Sequence, residues 1–235
     1  LIDFHVHLKG GLKLHEALDS SSLYGVNYGI AANCGLKFPI TNDDQLLEYI
    51  NSQAGKPVFT AMQAEGREWV DLFSPDAVAQ ADYVFTDAMT WTNDQGQRMR
   101  LWIPEETHVG DPQHFMEQLV SEIEGISEEP INIYVNPTFL PKEIQDRYDE
   151  LWTEERINRV VQALVENDIA LEINDRYELP SKKILKAAKD AGVKFAFGTN
   201  NTGSTIGKLG YCLRMIEELN LQPQDMWLPP VKKIK

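Results

Sequence analysis

Apolar and β-branched residues gather in seven short runs, at 1–8, 26–33, 58–65, 83–91, 131–136, 170–175 and 194–200. Runs of that length, rich in residues that fit a pleated surface, predict strands. Between them the apolar positions recur at helical spacing, and several of those segments carry end signals. A helix over 43–53 is closed by Gly55; Ser74 precedes Pro75 for a helix over 75–81, and Asp111 precedes Pro112 for one over 112–124 before Gly125. Ser or Asp ahead of a first-turn proline accepts free amide protons, and Gly just past the last turn takes the left-handed closing conformation. Further helices are predicted over 142–166 in two pieces, over 181–191 stopped by Gly192, and over 208–220.

Strand and helix alternate, and the connections are too long for hairpins. The strands must therefore run parallel, each crossover returning the chain to the same end of the sheet. The pattern predicts an α/β fold: one closed, TIM-like barrel of seven parallel strands over 1–235, one strand short of the usual eight. The exception is 92–102, where Asn93-Asp94-Gln95-Gly96 turns between two polar-alternating arms and predicts an inserted β-hairpin over one face.

A chain of 235 residues suits one such barrel, and 43% hydrophobic with 25% charged residues is the composition of a soluble globular protein. The net charge of −14 repels phosphodiester backbones and anionic lipid surfaces. The expected partner is thus a small molecule and not nucleic acid; the basic tail Lys232, Lys233 and Lys235 reads as solvated. No stretch approaches the roughly 18 to 20 apolar residues that span a bilayer, so no membrane insertion is expected. Cys34 and Cys212 are too few for a disulfide framework. The chain opens at Leu1 and not at Met, which leaves both a cytoplasmic location and export after loss of an N-terminal segment open, as is the oligomeric state.

In a parallel α/β barrel the reactive groups sit at the carboxyl ends of the strands, whose loops ring one mouth. Here those ends carry His5 and His7, Asn33 and Cys34, Glu65, Asp87 and Met89, Asn136, Glu172 with Asn174 and Asp175, and Asn200 with Asn201. Every end is polar or metal-binding in type. His5 and His7 stand two apart on a strand, so both imidazoles face the same side, a pair that suits zinc, manganese or iron. The plainer alternative is two buried, hydrogen-bonded histidines. Glu65 precedes Gly66 and Arg67, and a loop salt bridge to Arg67 is its plainer alternative.

These residues, in this order, resemble the PHP (polymerase and histidinol phosphatase) family, whose fold is a distorted seven-stranded barrel. In that family a His-x-His opens the chain, an Asp-His pair ends the second strand and a Glu the third. Lone histidines end the fourth and fifth, and an Asp-x-His closes the seventh. Together they hold up to three metals for phosphoester hydrolysis. The present chain keeps His5, His7 and Glu65, but has Ala32-Asn33-Cys34 for the Asp-His pair, Met89 and Asn136 for two histidines, and Asn200-Asn201-Thr202 at the last site.

The resemblance implies at most one divalent metal, held by His5, His7, Glu65 and a weaker Asn200 in place of Asp. One Lewis-acid metal lowers the pKa of its bound water to about 7 and suffices for ester or amide hydrolysis. On this first expectation Asp87 or Asp175 is the base. Arg67, Arg98, Arg100 and Arg176 are the forks for a small, anionic substrate; their plainer alternative is neutralisation of Glu105, Glu106, Asp87 and Asp175. The second expectation is a metal-free ligand-binding barrel for a sugar or polyol. There Asn33, Asn136, Asn174, Asn200 and Asn201 supply donors and acceptors, and Trp69, Trp91 and Trp102 flat apolar faces. His15 reads as a surface residue, and His108 and His114 are weak candidates for folding over the pocket. Cys34 reads as an inert buried thiol.

Overall fold

Seven strands close edge to edge in a computed structural model that describes residues 1–230; Lys232, Lys233 and Lys235 lie outside them. The chain lays down β1 (Ile2–Val6), β2 (Asn27–Gly35), β3 (Phe59–Glu65) and β4 (Tyr83–Thr86). A hairpin of β5 (Thr90–Thr92) and β6 (Arg98–Arg100) follows, and then β7 (Ile133–Tyr134), β8 (Ala170–Asn174) and β9 (Phe195–Gly198). The barrel order is β1-β2-β3-β4-β7-β8-β9, all parallel, and it closes where Asp3 meets Phe197. The buried Asp3 carboxylate ties that seam: it accepts from the Thr199 backbone amide at 2.9 Å and hydroxyl at 2.7 Å, and from the Gly207 amide at 3.2 Å.

The helices are α1 (Leu14–Tyr24), α2 (Asp43–Gln53), α3 (Trp69–Leu72), α4 (Pro75–Val78), α5 (Pro112–Ser127), α6 (Tyr148–Leu151), α7 (Glu154–Glu166), α8 (Lys182–Asp190) and α9 (Gly210–Leu219). The predicted caps operate, Ser74 accepting from the Ala77 amide and Asp111 from the His114 amide. Two predicted ends move. The α4 helix stops at Val78, and α5 runs through Gly125 to Ser127. Ile123 and Ile126 are both fully buried, and their burial outweighs the penalty of about 1 kcal/mol for a glycine inside a helix. The fourth strand is also shorter than 83–91, because its continuation becomes the hairpin, in which Trp91 pairs with Met99. Among the described residues no helix is long and apolar enough to cross a membrane.

What positions the site is a change of character along the barrel interior. Alternate residues of a strand share a face, and the inward series run Ala61, Gln63, Glu65 in β3, Tyr83, Phe85, Asp87 from β4, and Ala170, Glu172, Asn174 in β8. Each begins apolar and ends polar. At the amino ends Phe4, Ala31, Ala61, Tyr83, Phe85 and Ile133 form one apolar cluster. Trp227 closes that floor from below; its ring lies 5.2 Å from Phe4 and 5.5 Å from Tyr83, and its amide donates to the Phe195 carbonyl.

Candidate functional site

At the carboxyl ends a cavity of about 250 Å³ opens, lined by six of the thirteen predicted site residues: His7, Glu65, Asp87, Asn136, Arg176 and Asn200. Behind its wall runs a hydrogen-bonded cage of amides and carboxylates centred on Asn136. The Asn136 side-chain amide donates to Asp87 Oδ2 at 2.7 Å, and its oxygen accepts from Asn200 at 2.7 Å and Asn174 at 3.1 Å. Its backbone amide donates to Glu172 Oε2 at 2.6 Å. Asn136 and Asn200 both hold positive φ, 45° and 41°, a region that asparagine enters more readily than most residues. Thr138 follows at φ 61°, where a β-branched residue costs roughly 1–3 kcal/mol. Its hydroxyl pairs with that of Tyr148, which helps hold the strained loop.

His5 lies one layer deeper, fully buried against Phe85, the ring centroids 4.7 Å apart. Both of its ring nitrogens are engaged: Nδ1 with Glu172 Oε1 at 2.7 Å, and Nε2 with Gln63 Oε1 at 3.3 Å. Gly198 makes room for this pair, since a Cβ there would stand 1.9 Å from Glu172 Oε1 and 2.7 Å from the His5 Cβ. His7 turns its Nδ1 to the Ala31 carbonyl at 3.0 Å, leaving its far edge towards the cavity. Burial holds its pKa well below 6.5, with the charges of His5 and Lys9 acting in the same direction.

Glu65 and Asp87 share the cavity. Burial pushes both carboxyls up, and the Asp87 charge pushes Glu65 further. Their surroundings differ. Asp87 accepts from the Met89 amide at 2.9 Å as well as from Asn136, whereas Glu65 accepts only from Asn33 at 2.6 Å, and its Oε2 is buried without a partner.

The other predicted residues serve the scaffold. Asp175 is not at the cavity: it accepts from the Tyr211 amide at 2.7 Å at the start of α9. Asn201 clamps the backbone of His7, accepting from its amide at 2.7 Å and donating to its carbonyl at 2.9 Å. Arg67 pairs with Glu129, Arg98 with Glu68 and Arg100 with Glu106; of these partners only Glu106 was among those named for the plainer alternative, and Glu65 does not bridge to Arg67. Asn174 stands behind the wall, donating to Glu172 Oε2 at 2.8 Å. Trp69 is buried with its indole nitrogen on Glu129, and Trp91 is buried against Phe115, so of the three tryptophans only Trp102 reaches the cavity. His15, His108 and His114 are exposed, and both cysteines are buried free thiols whose pKa burial raises.

Sequence reasoning missed five lining residues, Lys9, Phe38, Pro39, Gln63 and Tyr177. Gln63 continues the same-face series Ala61, Gln63, Glu65, so strand parity was its signal, whereas the other four stand on loops.

A resident divalent ion does not fit this donor set. His5 has no free nitrogen, and among the described residues no three His, Cys, Asp or Glu side chains converge to hold a metal.

Comparison with protein-family models finds no match, and comparison with curated proteins finds none. Among solved structures, a chain of the cryo-EM structure of archaeal Ribonuclease P with mature tRNA is similar over 100% of this chain and 98% of its own, at 10% identity and a TM-score of 0.46. A likeness of that degree carries no argument about function.

Proposed function

We propose that this chain is a PHP-type barrel whose metal positions have been rebuilt as an amide and carboxylate cage, and that it binds a small polyhydroxylated ligand without a resident metal. The observation that carries the reading is Asn136. It stands where the resemblance puts a histidine ligand, yet its amide is spent on Asp87, Asn174 and Asn200. A ligand in the cavity meets the side chains of His7, Asn33, Gln63 and Glu65 that line it. Donors and acceptors interleaved in this way match hydroxyl groups, which both give and accept. A volume of about 250 Å³ lies just under the usual range for small-molecule sites and limits the ligand to a small one.

One observation favours a second reading, a single-metal hydrolase. The unpartnered Glu65 Oε2 and His7 line the same cavity, and Glu65 is the residue the resemblance makes a ligand. Metal analysis of protein expressed with added zinc, manganese and iron, together with thermal shifts by alditols such as glucitol and galactitol, separates the two. The metal-free reading expects substoichiometric metal and alditol shifts that persist in chelator. One metal per chain, with alditol binding lost on its removal, overturns it.

A further inference from the structure

Two cations, Lys9 and Arg176, line the cavity. Neither Lys9 nor Arg176 forms a salt bridge among the described residues, although the other arginines at this end do. Arg176 sits over the Tyr177 ring, its guanidinium carbon 4.7 Å from the centroid, a contact that helps hold the fork in place. Lys9 is half-buried, and its ammonium feels repulsion from Arg176 and attraction from Glu65. Like charges held together in a partly desolvated cavity cost stability unless something between them offsets it.

We infer that the ligand carries one carboxylate, seated between Lys9 and Arg176, with its hydroxyls towards the cage: a small polyhydroxy acid, of the sugar-acid class. The inference rests on the ligand-binding reading above and adds the charged end of the molecule. A planar monoanion matches the guanidinium fork in bidentate fashion, with Lys9 as the point charge beside it. A phosphate ester is the poorer fit. It brings a second negative charge into a cavity that already holds Glu65 and Asp87, so it meets more repulsion there than a monoanion does.

The test is calorimetric titration of the full chain with gluconate and galactonate, each against its neutral alditol and against glucose 6-phosphate. The expected result is that one acid binds about tenfold or more tighter than its alditol, with the phosphate ester weaker than the acid. Lys9→Met and Arg176→Met each remove that preference, read as the ratio of acid to alditol affinity within the same variant, while Lys9→Arg retains most of it. Wild-type protein that binds acid and alditol equally overturns the inference and leaves the pocket reading standing, as does a preference that survives both methionine variants. A phosphate ester bound tighter than either acid also overturns it. Binding of none of these probes overturns both. Because removing one of two repelling charges relieves the fold, neither methionine variant is expected to lower Tm; a loss of more than about 4 °C marks the side chain as structural and counts against the clamp.

Discussion

The floor of the barrel and its mouth are made by the same strands and obey opposite rules. At the floor, Phe4, Tyr83, Phe59 and Trp227 meet ring against ring, and the Tyr83 hydroxyl donates to the Phe4 carbonyl at 2.6 Å. At the mouth, burial opposes the ionisation of two carboxyls and a histidine, and Asn136, Thr138 and Asn200 hold positive φ. Apolar burial is favourable by itself, whereas buried charge is tolerated only where bonded. The floor therefore holds the barrel together. The mouth is retained for what it binds, since strained and desolvated groups collect at functional sites.

The largest effect expected from this contrast is at the floor. Tyr83→Ala empties the centre of the aromatic layer and strips the Phe4 carbonyl of its donor, at a cost of about 3–5 kcal/mol in denaturant unfolding. A loss well under 2 kcal/mol shows that the layer can collapse around the gap and that the floor does not carry the fold. Next comes the cage. Glu172→Ala removes the partner of the His5 ring, the Asn136 amide and the Asn174 amide together, all in dry surroundings. We expect a loss of about 2–4 kcal/mol and, unlike Tyr83→Ala, loss of ligand response in whatever fraction stays folded. Equal loss of response in both variants erases the distinction between the two ends.

The architecture was open to sequence reasoning because period and crossover length are written into the residues: seven runs, helical spacers, and a turn at Asn93 to Gly96 that the structure keeps, with Gly96 at φ 77°. The strand ends were open for the same reason, and six of the predicted residues do meet in one cavity. What was hidden follows from direction. Asn174 and Asn200 face inward, so Asp175 and Asn201, one residue on, face outward to α9 and to the His7 backbone. For the hairpin arginines Glu106 was legible as a partner of Arg100, six residues away, whereas Glu68 is brought beside Arg98 by a loop whose course no period describes. The cage was beyond reach altogether, since it depends on which oxygen each asparagine offers once seven chain segments have closed on one another.

The smallest effect is the most discriminating, because its sign differs from the other two. Glu65 has its pKa raised above the ordinary 4.5 in the folded state, first by burial and then by Asp87. A carboxyl raised on folding binds its proton more tightly in the native chain. Its contribution is therefore fully present below the unfolded value and is lost as pH rises through the folded value. Glu65→Gln removes that loss, and the glutamine oxygen still accepts from Asn33. The variant should match wild type near pH 4 and exceed it at pH 7 by about 1 kcal/mol, a Tm gain of roughly 2–4 °C. A metal ligand behaves in the reverse sense, because an ion holds the carboxylate ionised and its loss lowers stability at neutral pH. A variant less stable than wild type at pH 7, with the gap closed by chelator, therefore places a metal at the mouth. A gain that grows with pH makes Glu65 a buried acid awaiting a hydroxyl.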